Sequence, residues 1–199
     1  MRFPTLPIWS AKKHSAALPP KDRSQVRVGI PKVLNIWTTH QFWVGFLKSI
    51  GIESENIVCS SDTSEEQGRE FGKGRGTVDC CYPVKCISGH YGELVFGQKK
   101  KIHVLLSPMI HSLPSVLHGH VVDTVTCTRV MAGPENIKAG FLKEGDVFGD
   151  AGITYSSPFV SLGDRHMVTE QLHTALKDVF DLQPEKTDGA VKAGFEALD

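Results

Sequence analysis

From Val26 onward, short apolar runs alternate with stretches whose apolar residues recur every three or four positions. A run of the first kind is a buried strand and a stretch of the second kind is an amphipathic helix. Their regular alternation drives the chain into layers around a sheet. The strand candidates are residues 26–30 (ended by Pro31), 56–60, 102–108, 121–130 and a piece of 152–162. The first helix is read over 39–50, where Phe42, Trp43, Phe46, Leu47 and Ile50 share a face. Thr39 is placed to cap its start, and Gly51 lies just past its end. A second, short helix is read over 64–71. The third runs over 83–96, with Val84, Ile87, Tyr91, Leu94 and Val95 in one stripe and Pro83 in the first turn. Others follow at 134–141, from an Asp164 cap through 180 with Met167, Val168, Leu172, Ala175, Leu176 and Val179 inward, and at 185–198. The expectation is a layered, Rossmann-like α/β domain over residues 26–199, with a mostly parallel sheet and helices on both faces. An irregular, Pro-rich tail over 1–25 precedes it.

Charge removes several classes of function. Lys plus Arg (22) balance Asp plus Glu (22), so no basic field argues for nucleic acid. No apolar run is long enough to span a bilayer, and residues 1–20 lack the apolar core of a signal peptide, so a cytoplasmic protein is expected. In that setting five cysteines point to free thiols, metal ligands or redox groups rather than structural disulfides. The Gly72-Lys-Gly-Arg-Gly76 loop lacks the Gly-Lys-Ser/Thr ending of a phosphate-binding loop. No hydrolase triad pattern, nucleophile elbow or dinucleotide fingerprint is present.

Three cysteines crowd into Cys80-Cys81-Tyr-Pro-Val-Lys85-Cys86. A thiolate, not a thiol, binds metal and attacks disulfides, and unpaired N–H groups at a helix start favour the anion. Cys81 stands just before Pro83, and Lys85 adds positive charge one turn on, so Cys81 is the leading ligand or redox candidate. Cys80 reads as packing or a spare thiol. Cys86 and His90 are four apart on one helical face, which is half of a zinc site, but no second pair at zinc spacing follows. Cys59 reads as strand packing. Cys127 lies at an expected strand end, where ligands gather in parallel sheets, as do Ser107 to Ile110. His118 and His120 are solvated loop residues or metal donors.

The stretch Val28-Gly-Ile-Pro-Lys-Val-Leu-Asn-Ile-Trp-Thr-Thr-His-Gln-Phe-Trp43 resembles the opening of a domain found in acyl-CoA dehydratase activase-related proteins, relatives of the 2-hydroxyglutaryl-CoA dehydratase system. Cys81-Tyr-Pro-Val-Lys-Cys-Ile-Ser-Gly-His90 matches the family's Cys-Tyr/Phe-Pro-x-Lys with a following Gly-His. Leu106-Ser-Pro-Met-Ile110 and Cys127 match two further, weaker motifs. The resemblance implies a place beside an activator ATPase and a dehydratase-like subunit or domain, in a system that moves low-potential electrons through iron–sulfur clusters. It implies Cys81 and Cys127 as cluster ligands, Cys80 or Cys86 as a third, and Lys85 as charge compensation. The chain departs from the family pattern at Thr128, where relatives carry Pro, at Met109, where some carry Cys, and at Trp37-Thr38, where relatives carry Tyr-Glu. Incomplete cluster binding by this chain alone is therefore expected, with a non-catalytic docking domain or a thiol-redox or zinc protein as the alternatives.

Overall fold

The computed structural model describes residues 19–75, 81–115 and 124–199. Along the chain these form β1 (Val28–Ile30), α1 (Asn35–Ser49), β2 (Ile57–Cys59), α2 (Glu65–Phe71), α3 (Tyr82–Lys85), α4 (Ile87–Gly92), β3 (Val104–Leu106) and β4 (Met109–Ser112). After these come α5 (Thr128–Met131), α6 (Gly133–Phe141), α7 (Val147–Asp150), β5 (Thr154–Ser156), β6 (Phe159–Ser161), α8 (Arg165–Phe180) and α9 (Pro184–Leu198). A 3-10 turn, Arg23–Gln25, precedes β1 inside the stretch expected as a tail. The Arg23 guanidinium ties it down by donating to the carbonyls of Phe180 (2.8 Å) and Asp181 (2.8 Å).

The central sheet has the order β2-β1-β3-β5 and every pairing in it is parallel. It is the α/β, mostly parallel arrangement that the strand–helix alternation implies. Successive strand residues face opposite sides, and the core divides accordingly. Val28, Ile30, Val104 and Leu106 pack with α1, α8 and α9 on one face. Leu105 packs with Tyr91, Leu94, Ile137, Phe141 and Phe148 on the other.

Two strands run past the sheet's edge and continue after a break. Ser107-Pro108 separates β3 from β4, and Ser157-Pro158 separates β5 from β6. A proline has no N–H for the ladder, so both strands are interrupted at the same level. Pairing is parallel on both sides of the break, with Ser107 N–H donating to Ser156 O (2.8 Å) and Met109 N–H to Pro158 O (2.9 Å). The single strand expected in 152–162 is therefore two, and Met109 to Ser112 is strand rather than a loop after a strand.

Other expectations are corrected. α1 starts at Asn35, not at a Thr39 cap. Thr39 lies one turn inside, its hydroxyl donating to Asn35 O at 2.7 Å. Gly51 does close that helix region, at φ 100°. The helix expected over 83–96 keeps a helical path, but it is divided at Cys86 into α3 and α4 and finishes in one π-helical turn, Glu93–Gly97. Of the strand expected over 121–130, residues 121–123 lie outside the described residues. Val125 makes one antiparallel bridge to Ser112, and Thr128–Met131 is helical. The cause is local: Thr126 spends both its hydroxyl and its N–H on the β4 backbone, to Ile110 O (2.6 Å) and His111 O (2.8 Å), and the chain turns there. Met167, expected inward, is 49% exposed. No described helix is long and apolar enough to cross a membrane.

Candidate functional site

All four strands of the central sheet are parallel, so their carboxyl ends share one edge. From β1 the chain goes to β2 on one side and later to β3 on the other, which makes β1/β3 the point where strand order reverses. In an open α/β sheet a crevice outside the carboxyl ends of the strands is expected at such a point. The crevice is present as a narrow apolar cleft of about 20 Å³, room for about one water molecule. The β1–α1 turn lines it with Val33, Leu34 and Ile36, α4 with Ile87, the broken β3–β4 strand with Ser107 and Ile110, and α5 with Val130.

The β1–α1 turn is strained. Leu34 has φ 52° and ψ −131°, a conformation that costs a residue with a Cβ on the order of 1–3 kcal/mol. A buried polar cluster holds the turn in place. The Lys32 N–H donates to Ser60 Oγ (2.8 Å), and Ser60 Oγ lies 2.7 Å from His90 Nδ1. Thr63 Oγ1 lies 2.9 Å from His90 Nε2, and Gln67 Nε2 lies 3.4 Å from Nδ1. Both ring nitrogens of His90 therefore have hydroxyl partners, while Gln67 Nε2 donates to Glu93 Oε2 (2.6 Å) and Ser61 Oγ (3.1 Å). His90 is fully buried, and desolvation pushes it down to about 4. It is a neutral bracket between the turns after β1 and β2. Outside it, Lys32 pairs with Asp62 at 3.0 Å, and together with a Trp37 hydrogen bond this holds the Asp62 carboxyl below the usual carboxylate range.

Cys81 is exposed and caps α3, and Lys85 on the same helix is exposed. Cys127 is exposed and caps α5. The N–H groups of Val130 and Arg129, with the Arg129 charge, hold the Cys127 thiol below its ordinary value. The helical segment after Cys81 and the helix after Cys127 both wall the cleft, through Ile87 and Val130, and Ile87 also packs at Gly133 just beyond α5. Cys86 is half-buried, its Sγ donates to Tyr82 O (3.4 Å), and burial pushes its thiol up. The half-zinc reading of Cys86 and His90 fails, because both ring nitrogens of His90 are engaged by Ser60 and Thr63. Cys59 is half-buried strand packing with its thiol pushed up by burial. Cys80, His118 and His120 lie outside the described residues.

Among the described residues no group of three or more His, Cys, Asp or Glu side chains is placed to hold a metal ion. An iron–sulfur cluster ordinarily takes four thiolates. The described residues offer two exposed thiols and do not by themselves fit a complete cluster site.

Sequence reading passed over a second polar group under the cleft. Ser107 is fully buried and receives a hydrogen bond from Tyr91 Oη at 2.7 Å. Tyr91 Oη lies 3.0 Å from Tyr155 Oη. Ser157 donates to Glu135, which also pairs with Lys138 at 3.3 Å. The legible signal was the repeated Ser-Pro pair at 107–108 and 157–158.

No curated protein and no solved structure matches this chain. The model of one family, described as the CoA enzyme activase uncharacterised domain, matches residues 27–199. That span starts at β1, holds every strand and helix described above and includes both Cys81 and Cys127, and the chain therefore belongs to the family of the CoA enzyme activase uncharacterised domain.

Proposed function

We propose that this domain is a docking module of a 2-hydroxyacyl-CoA dehydratase/activase-type system, and that it contributes Cys81 and Cys127 as thiolates to an iron–sulfur centre completed by an activator or dehydratase-like partner. The observation that carries the reading is the placement of two exposed cysteines. Each opens a short helix at a wall of the cleft where the strand order of the sheet reverses. Exposed thiols at a sheet edge are accessible to a second protein, and the lowered Cys127 thiol supplies the anion that metal binding requires. Exposed Trp37 and Tyr82 stand in the first turns of α1 and α3 and add the aromatic surface typical of interfaces. The two-thiol set accounts for the need for a partner.

The test is anaerobic purification of the chain alone and with a candidate dehydratase-like subunit, with iron and sulfide measured in each. Iron retained by the complex and lost in both Cys81→Ala and Cys127→Ala supports the reading. A complex that forms with the same iron content in wild type and both variants leaves docking without a shared cluster, the second reading. That reading is favoured by the absence of a three-donor group among the described residues.

A further inference from the structure

The two edges of the central sheet differ in chemistry. β2, at one edge, is three residues long, with Glu53 and Glu55 exposed before it and Asp62, Glu65 and Glu66 exposed after it. A short edge ringed by charge resists pairing with another chain. β5 forms the other edge, and β6 continues it past the break, so this edge runs from Thr154 to Ser161. Residues 151–163 contain no Asp, Glu, Lys, Arg or His. The inner ladder fixes which backbone groups face outward. Thr154 N–H donates to His103 O (2.8 Å), Ser107 N–H donates to Ser156 O (2.8 Å) and Met109 N–H donates to Pro158 O (2.9 Å). Even-numbered residues therefore face inward, and Tyr155, Ser157 and Phe159 turn their N–H and C=O outward. Pro158, which has no N–H, falls on the inward side, so it removes no donor from the outer edge. The chain itself closes both ends of this window: Ile153 N–H donates to Phe148 O (2.8 Å) and Ser161 N–H to Gln171 Oε1 (2.8 Å). Between them, no strand among the described residues lies alongside.

We propose that this edge is where a second copy of the chain pairs, its β5–β6 running antiparallel to the first across a two-fold axis at Ser157. Ser157 is the middle of the open window, so the axis sets Ser157 opposite its own copy and Tyr155 opposite Phe159 of the second copy. Outward residues then meet only outward residues, and each pair exchanges its N–H and C=O groups. Side chains two apart on a strand share a face. Val160 packs in the core under α8 and Tyr155 against the core on the other face, which puts Phe159 on the face of Tyr155. Phe159 is 44% exposed in the single chain. Beside Tyr155 lies an open hollow of about 560 Å³, lined by Lys138, Leu142, Phe148 and Ile153. The pairing brings Phe159 of the second copy to that hollow, and an aromatic pair across strands stabilises the register. The contact uses the same patch on both copies and closes as a dimer, while the carboxylates around β2 keep the sheet from growing at its other edge. This inference stands apart from the iron–sulfur reading, since it uses neither cysteine and its test reads no iron.

Sedimentation equilibrium of the chain over a concentration series tests it. The expected result is a reversible species of twice the 21.8 kDa chain mass. Phe159→Lys, at an exposed position that leaves the core intact, should raise the dissociation constant by about tenfold or more while circular dichroism stays that of the wild type. Ser157→Cys tests the register. Cα atoms of a hydrogen-bonded antiparallel pair lie about 5.5 Å apart, within disulfide reach, so mild oxidation should link residue 157 to residue 157 of the second copy, as read by peptide mass spectrometry. Phe159→Cys, set four residues from its own copy, should give no such link. A dimer that persists unweakened in Phe159→Lys, or one that links at 159 and not at 157, overturns the proposal. A chain that stays monomeric also overturns it and leaves the edge to an extended segment of a different protein.

Discussion

The two faces of the sheet are covered by different kinds of helix. On one face lie α1, α8 and α9, each 15 or 16 residues long. α1 and α9 meet closely: a Cβ on Gly45 would stand 2.6 Å from Ala193 O, and one on Gly194 would stand 2.8 Å from the Phe42 ring. Phe42, Trp43, Phe46 and Leu47 are all fully buried there. The other face is covered by pieces, from the four-residue α3, α5 and α7 to the six-residue α4 and the nine-residue α6. It holds the paired Tyr91 and Tyr155 hydroxyls and, at its carboxyl edge, the exposed cysteines. Short helices bury little per element but bring many helix starts and turns to one edge. Long helices do the reverse. One face works as scaffold and the other carries the groups capable of chemistry.

The largest effect that can break this division is on the scaffold face. Phe42→Ala removes a ring packed against Trp43, Phe46 and Phe195 and is expected to cost about 3–5 kcal/mol in urea denaturation. The native-state alkylation rate of Cys127 should stay the same. A cost under about 1 kcal/mol would show that this face is not the scaffold.

His90 sharpens the comparison through pH. Its ordinary value is 6.5 and the folded protein holds it at about 4. Between these values the unfolded chain binds a proton that the folded chain refuses, so stability is full above 6.5 and is lost as pH falls toward 4. At about 1.4 kcal/mol per pH unit the gap corresponds to roughly 3 kcal/mol, as an order of magnitude. The difference in unfolding free energy between wild type and His90→Gln should therefore shrink as pH drops through this window. A difference that is constant with pH contradicts the bracket role.

A smaller effect is expected from Tyr91→Phe. It keeps the buried ring but leaves Ser107 and Tyr155 each short of a partner, at a cost of about 1–3 kcal/mol. A neutral result would mean that water or a rearranged Ser107 replaces the hydroxyl.

The smallest effect touches stability not at all. Iodoacetamide near neutral pH, read by peptide mass spectrometry, should modify Cys127 well before Cys86 and Cys59. The Cys127 thiol is lowered and exposed, whereas burial raises the other two. Equal rates would remove the claim that the edge is chemically distinct from the interior.

The sequence by itself determined the class of fold, because strand and helix periodicities are local properties of the chain. Val28 to Ile30, Val104 to Leu106 and the long α8 are readable from the order of apolar residues, and the Asp164 cap from one side chain before its helix. It also marked Cys81, just before a helix start, and Cys127, at an expected strand end, as candidates. Only the tertiary structure decided what those residues meet. His90 looked like a partner for Cys86 because helical spacing put them on one face, but the ring is taken by Ser60 and Thr63, from a turn about thirty residues away in the chain. Ser107, Tyr91 and Tyr155 carry no motif, and they are joined because parallel pairing sets β3 beside β5 and α4 beside α6. Which strands pair, and which helix lies over them, follows from the summed packing of the whole core, and that sum has no local signature in the chain.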